Sequence, residues 1–562
     1  MKASNTALAI VVSLQVHSSW QALPLGAGCI ASALRADAAL SGRCEVVLLD
    51  LSLEQDDFIA ADTDARARLV VDRVRSLSSG RHCFVAFSVY VWNRTIFERS
   101  ATILRQEIPE AVICAGGPEI TALAAGSPTA FEYLVLGEGE SSTRALLRSW
   151  LDGTLVKPLR NSGIRSPAEP LAELPSPWLD GTLDNTEAVL LHRGALWELS
   201  RGCPYSCSYC YESKGDKKVR TYPLERLESE LEYFMKKGIE RVFVLDPTYN
   251  ANKKRALEIL KLIKQKALNI HFNFEVRAEL LDRELVAAFS EIPCSLQIGL
   301  QSSNPQALAA VGRPSDLKQF SKKIALLNES GVVFGLDVMY GLPCDTLATF
   351  RDSLDYALSL YPNNLELFRL SVLPGTALYE DAARLSLVFN PEPPYQVVSL
   401  PAFSAEDLAR AEALARACDI FYTQGRAVTW FLSALAPLKQ RPSRFLTEFD
   451  RFLQDRKKYP RNGVVLSHQE AEDLQLAFLD QAYHQKKIAH LLPALYDIVR
   501  FNGALTRALA EGEESTLDLS YHGEDLLGPE SMDVVWFTEN ACMEHCTVRV
   551  FPTADGPDFE IL

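Results

Sequence analysis

Strand and helix signals alternate along most of this chain, and that alternation constrains its fold more than any other feature. An apolar strand near residues 7 to 14 leads to a helix near 24 to 37 and then to Cys44-Glu-Val-Val-Leu-Leu-Asp50. A helical stretch near 63 to 78 precedes Cys83-Phe-Val-Ala-Phe87, and a helix near 94 to 107 precedes Ala111-Val-Ile-Cys-Ala115. Tyr133-Leu-Val-Leu136 adds a short further strand. The pattern predicts an α/β domain over residues 1–150, built on a parallel, doubly wound sheet whose ligands sit beyond the carboxyl ends of the strands.

Residues 151–190 break the rhythm. They are rich in Pro, Ser and Gly, including Arg165-Ser-Pro-Ala-Glu-Pro170 and Leu174-Pro-Ser-Pro-Trp178, and read as a linker. Alternation then resumes over 191–395. After the strand signals around 188 to 200 come Arg241-Val-Phe-Val-Leu245, Ile270-His-Phe-Asn-Phe-Glu275, Ser295-Leu-Gln-Ile-Gly-Leu-Gln301, Val333-Phe-Gly-Leu-Asp337 and Leu365-Glu-Leu-Phe-Arg-Leu370, with helical segments between them. Six such strands predict a partial (β/α)6 barrel with functional groups at its strand ends. Pro391-Glu-Pro-Pro-Tyr395 marks the next boundary. Residues 396–562 read as a mostly helical domain, opened by the helix start Ser404-Ala-Glu-Asp407, with a β-like tail at Met532-Asp-Val-Val-Trp-Phe537 and Thr547-Val-Arg-Val-Phe551.

A chain of 562 residues with 48% hydrophobic content exceeds what one core supports. Its formal charge of -15 argues against a general nucleic-acid or anionic-membrane surface. Twelve cysteines spread over this length do not form the dense framework of a small secreted protein. The N-terminal run Ala7-Leu-Ala-Ile-Val-Val-Ser-Leu14 reads as a buried strand, not a signal peptide, and no apolar run spans a bilayer. A cytoplasmic location is expected.

Three of the cysteines are clustered. Cys203, Cys207 and Cys210 lie in Leu199-Ser-Arg-Gly-Cys-Pro-Tyr-Ser-Cys-Ser-Tyr-Cys-Tyr211. Four thiolates close a 4Fe-4S cluster, so a compact group of three leaves one iron open to a small-molecule ligand. Structural zinc is the alternative, though such sites pair Cys-x2-Cys units or add histidine, and after Cys210 no Cys or His follows until His271. In the tail, Cys542, His545 and Cys546 are either part of a second metal site or unliganded thiols of a turn.

The spacing Cys-x3-Cys-x2-Cys, with Tyr209 before the last cysteine, resembles the signature of radical S-adenosylmethionine (SAM) enzymes. The resemblance implies that the three cysteines hold the cluster, that the open iron chelates SAM, and that Tyr209 packs near its adenine. One-electron cleavage of the sulfonium would then yield the 5'-deoxyadenosyl radical. By the same resemblance, polar groups at the strand ends contact SAM: Asp246 and Asn250 at the amino group, Glu275, Arg277 and Gln301 at the carboxylate and ribose, and Asp337, ahead of Gly341-Leu-Pro343, at the adenine. Arg277 suits a carboxylate because its planar fork pairs with both oxygens.

Ahead of the cysteines stand Leu23-Pro-Leu-Gly26, Ser88-Val-Tyr-Val-Trp-Asn93, Gly116-Gly-Pro-Glu119 and Gly137-Glu-Gly-Glu140. In this order they resemble the Rossmann-like cobalamin-binding domain of cobalamin-dependent radical SAM enzymes. The resemblance implies cobalamin contacts at Pro24, Leu25, Gly26, Ser88, Tyr90, Trp92, Asn93, Gly116, Gly117, Pro118, Glu119, Gly137, Glu138, Gly139 and Glu140. The Asp-x-His-x-x-Gly segment that supplies a cobalt ligand in many other cobalamin domains is absent, and His17 is the nearest early candidate. The expectation is a base-off cofactor without a protein histidine, its lower face met by Tyr90, Trp92 and Asn93.

The family implies an enzyme that methylates an unactivated carbon of a small-molecule or peptide substrate through the 5'-deoxyadenosyl radical and methylcobalamin. Electrons would come from a donor such as flavodoxin or ferredoxin. Cyclisation, ring contraction or rearrangement without net methylation is the alternative, and a non-catalytic cobalamin or redox sensor a third reading.

Overall fold

The computed structural model describes residues 6–123, 128–156, 163–214, 217–456, 465–554 and 556–562. The chain forms two compact units. The first is Met1–Ser295 with Ser371–Leu385 and Phe389–Gln396, and the second comprises Leu296–Leu370, Ser386–Val388 and Val397–Leu562.

The first unit opens with a parallel sheet. Its strands are β1 (Ala7–Gln15), β2 (Cys44–Ser52), β3 (Cys83–Ser88), β4 (Val112–Gly116), β5 (Tyr133–Val135) and β6 (Gly163–Ile164), in spatial order β2-β1-β3-β4-β5-β6. Crossover helices α1 (Leu25–Arg35), α2 (Thr63–Ser78), α3 (Arg94–Glu107), α4 (Pro118–Ala122) and α5 (Glu140–Leu151) connect them. The continuous apolar run of β1 reflects helices on both faces of the sheet. Leu8, Ile10 and Val12 enter a core with Val70 and Val74 of α2 and Phe97 of α3. Ala9 and Val11 face the other way, toward Ala31 of α1 and Leu147 of α5. Asp62 fixes the start of α2 by accepting the Ala65 amide.

The segment read as a linker is held down within this unit. Ser32 Oγ donates to Asp180 at 2.5 Å, and Arg35 donates to Thr182 at 2.8 Å. Trp178 is buried, packs edge-on against Phe234 and donates its indole N–H to Leu196 O. It lacks periodicity because isolated side chains, not a helix or strand face, make its contacts.

Six further strands follow along the chain: β7 (Gly194–Trp197), β8 (Arg241–Val244), β9 (His271–Val276), β10 (Cys294–Gln301), β11 (Val333–Tyr340) and β12 (Asn364–Arg369). In the first unit β8 runs parallel to both β7 and β9, and in the second β11 runs parallel to β12. Parallel strands alternating with helices within each unit are what a partial (β/α)6 barrel requires. Gly238, left-handed at φ 69°, ends the helix Leu224–Lys237 that leads into β8.

Beyond residue 400 the second unit is mainly helical, including Ala405–Cys418, Pro442–Asp455, His468–Lys486 and Leu492–Glu511. Its tail is a three-stranded antiparallel sheet of Ser515–Leu519, Cys546–Thr553 and Gly556–Ile561, which contains the expected strand at 547–551. The other expected strand, at 532–537, is not one. Asp533 accepts the amides of Val535 and Trp536 and starts a helix over Val534–Asn540, which buries Val534 and Phe537 three residues apart. The Val-Val-Trp-Phe run suggested period two, but the cap sets the conformation. Among the described residues no helix is long and apolar enough to cross a membrane.

Candidate cofactor site

The spatial order of the first sheet reverses between β1 and β3, where open α/β sheets receive ligands. A cavity of about 200 Å³ lies there, lined by Gly26, Ser88, Tyr90, Gly116, Gly117 and the whole of Gly137 to Glu140, together with Cys29. Gly117 sits at φ +105°, and a Cβ there would lie 2.6 Å from Val89 O, so this wall requires glycine. Burial pushes the Cys29 thiol far up, which keeps it neutral.

A second cavity, about 590 Å³, shares Gly26, Cys29, Tyr90 and Glu138. It extends along Pro24, Leu25, Trp92 and Pro118 to Leu196 and Glu198 after β7 and to Leu245 and Pro247 after β8. The Tyr90 and Trp92 rings stack in it, with centroids 4.6 Å apart and planes 7° from parallel. Trp92 is anchored by its indole N–H, which donates to Leu14 O at 2.8 Å, yet it remains 39% exposed.

Two expected contacts are committed elsewhere. Asn93 donates to Leu14 O and Ser88 O and accepts the Tyr90 amide, so it builds the turn that presents the aromatic pair and does not line the cavities. Glu119 accepts the Tyr395 hydroxyl at 2.6 Å and pairs with Arg94 at 3.2 Å. His17 is exposed in the loop after β1 and lines neither cavity.

In the cysteine loop, Cys203 and Cys207 are buried and Cys210 is half-buried, as is Tyr209. The Cys210 amide donates to Cys207 O at 3.1 Å, and Ser208 O accepts the Leu378 amide at 2.9 Å, so the turn is fixed from inside and outside. Among the described residues no three Cys, His, Asp or Glu side chains converge on one ion position. Ser208 Oγ is sealed from solvent without a hydrogen-bond partner. In the tail, Cys542 is exposed and the Cys546 thiol donates to Tyr521 O at 3.5 Å.

Asp246 accepts the amides of Leu199 and Ser200 and the Ser200 hydroxyl, and burial pushes its carboxyl up to about 6. It thus pins the chain entering the cysteine loop. Asn250 bonds the backbone N–H and C=O of Arg277, so its amide braces β9. The Arg277 guanidinium lies 3.7 Å from the centroid of the Tyr205 ring, inside the loop, and pairs with Glu279 at 2.5 Å. Glu275, on the same strand, is exposed. In the second unit, Gln301 is buried at φ 68°, and Asp337, pushed up to about 6 by burial, accepts the Gln297 amide.

The residue that sequence reasoning missed is Arg201. It lines both cavities of the first unit and precedes Cys203 by two residues. It pairs with Glu138 at 3.1 Å, Glu140 at 2.9 Å and Glu198 at 3.0 Å. Its signal was present, since an arginine inside the cysteine run and two carboxylates in Gly137 to Glu140 are complementary, but chain separation hid the pairing.

Residues 197–357 match the Radical SAM superfamily. The match begins on β7 and takes in the cysteine loop. The chain is 27% identical over 364 residues to the cobalamin-dependent radical SAM methyltransferase TokK of Streptomyces tokunonensis, covering 59% of this chain and 53% of that protein. The chain is thus similar to cobalamin-dependent radical SAM enzymes. A 2-(S-pantetheinyl)-carbapenam-3-carboxylate methyltransferase of Streptantibioticus cattleyicolor is 26% identical with the same coverage. The chain spans about half the length of the curated relatives it matches. The methyltransferase TsrM of Kitasatospora setae, solved with cobalamin and a [4Fe-4S] cluster, shares its fold at a TM-score of 0.53 and 19% identity, over 68% of this chain and 79% of that one. OxsB, solved with aqua-cobalamin, shares the fold over 96% of this chain and 85% of that one, at a TM-score of 0.54 and 14% identity.

Proposed function

We propose that the chain is a cobalamin- and SAM-dependent radical methyltransferase that acts on an unactivated carbon. The reading rests on one observation: a single compact unit carries a glycine-walled cavity at a sheet switch point and a loop of three cysteines, with Arg201 bonded to the cavity wall. Cys203, Cys207 and Cys210 would each give one thiolate to a 4Fe-4S cluster, while Gly26, Ser88, Gly116, Gly117 and Gly137 to Glu140 would wall the cobalamin. When bound, these groups and SAM supply one-electron sulfonium cleavage and a transferable methyl group.

The protein's own residues orient and shield. The stacked Tyr90 and Trp92 offer a flat apolar face for a macrocycle in a cavity that no histidine lines among the described residues, and Asn93 fixes their turn. Asp246 holds the strand entering the cysteine loop, and Arg277 braces that loop through Tyr205. Residues 1–150 would thus be the cobalamin domain, 191–395 the radical SAM barrel and 396–562 the part that recognises substrate. Cytoplasmic residence and a small redox protein as electron donor fit chemistry that needs reduced thiols and low-potential electrons.

Turnover with SAM labelled in its methyl group, a chemical reductant and candidate substrates tests the reading. Label in the product supports it. Substrate conversion with SAM cleavage and an unlabelled product would favour cyclisation or rearrangement, and absence of SAM cleavage would contradict radical chemistry altogether.

A further inference from the structure

The two serines of the cysteine loop are in opposite situations. Ser206 is exposed, and its hydroxyl accepts a hydrogen bond from Lys217 at 3.1 Å. Ser208, between Cys207 and Cys210, has its hydroxyl shut away from solvent with no partner. Buried polar groups are nearly always bonded, so an orphan hydroxyl points to a missing partner. Backbone hydrogen bonds fix the turn that carries Ser208. Its carbonyl is taken by the Leu378 amide, and the Cys210-to-Cys207 bond closes the turn in which it sits. Of the buried unpartnered side-chain atoms among the described residues, this is the one hydroxyl and the one within the cysteine loop.

We propose that the Ser208 hydroxyl donates a hydrogen bond to a cluster sulfur, raising the reduction potential of the cluster held by Cys203, Cys207 and Cys210. This inference rests on the cluster reading proposed above. The chemistry of the donor fits: a hydroxyl is a donor that a sulfide or thiolate accepts, and hydrogen bonds to the sulfurs are among the factors that set iron–sulfur potentials. A donor to sulfur stabilises the reduced cluster, which carries one more negative charge, so removing it makes the one-electron reduction harder. Ser208 is therefore a tuning residue that touches neither SAM nor substrate, and it narrows the gap that an external electron donor must bridge.

Reconstituted wild type, Ser208→Ala and Ser208→Thr, each first shown to carry iron and sulfide, are titrated in the absence of SAM with dithionite and redox mediators. The reduced cluster is followed by electron paramagnetic resonance. At a fixed potential near the wild-type midpoint, the ratio of reduced to oxidised cluster is expected to fall about threefold or more in Ser208→Ala and to be retained in Ser208→Thr. Electron-nuclear double resonance after exchange into deuterium oxide is the second readout. It should show an exchangeable proton coupled to the cluster in wild type and Ser208→Thr, absent in Ser208→Ala. An unchanged ratio in Ser208→Ala, or an identical exchangeable-proton spectrum in its cluster, overturns the inference. Should Ser208→Ala fail to hold a cluster, lack of that proton signal in wild type overturns it alone. Failure of wild type to take up any cluster would instead sink the cluster reading itself.

Discussion

Arg201 Nη1 donates to Glu138 Oε2 at 3.1 Å across 63 residues of sequence, tying the wall of the first cavity to the segment that enters the cysteine loop. Its other arm reaches Glu140 at 2.9 Å, and its Nε lies 3.0 Å from Glu198. Arg201 is only 14% exposed in its side chain and Glu140 only 7%, so neither charge is covered by solvent when the other is removed. Arg201→Gln is expected to lower the unfolding free energy by roughly 3 kcal/mol, because it strands buried carboxylates. Adding Glu140→Gln should recover part of that loss, since the pair is then removed together. Urea unfolding of the two single variants and the double variant checks this; fully additive losses would mean the pair is not coupled.

Gly117 offers a test of the cavity wall. Its φ of +105° and the 2.6 Å approach of a Cβ to Val89 O make alanine both strained and obstructed. Gly117→Ala should cost about 2–3 kcal/mol and reduce retained cobalamin, whereas Gly153→Ala, also left-handed but in open space, should cost about 1 kcal/mol and leave cobalamin unchanged. Thermal melts with cobalamin absorbance after gel filtration report both.

Much of this was legible in the chain, and the reason differs by feature. Buried parallel strands such as Ala7–Gln15 announce themselves as apolar runs, and the glycines at their carboxyl ends follow directly. Cys203, Cys207 and Cys210 are a local pattern that needs no long-range information. Asn93, Glu119 and Asp246 were legible as polar residues at strand ends, but their partners Leu14, Tyr395 and Ser200 were not, because pairing depends on tertiary placement. The same limit hid Arg201. The 532–537 helix was misread because one capping aspartate outweighed four residues of β-like composition.

Asp50, at the end of β2, carries a pH dependence. Burial pushes its carboxyl up to about 7, Gln15 partly offsets this, and one of its oxygens has no partner. Between about pH 4 and 7 the native state therefore binds more protons here than the unfolded state, and this group's contribution to stability falls as pH rises through that window. Asp50→Asn should be more stable than wild type by about 2 kcal/mol at pH 8.5, and the gap should close toward pH 5. Urea midpoints at the two pH values decide it; a constant difference would show that Asp50 does not titrate differently on folding.

The most direct test of the account is the cofactor content of anaerobically reconstituted wild type beside the Cys203→Ala/Cys207→Ala/Cys210→Ala variant. Wild type should hold about four irons and about one cobalamin per chain, and should form 5'-deoxyadenosine from SAM on reduction. The triple variant should lose the iron and the 5'-deoxyadenosine yet keep its cobalamin, because the cavity at the first sheet is built without those thiols. Iron and 5'-deoxyadenosine retained in the triple variant, or no cobalamin bound by either protein, would contradict the account.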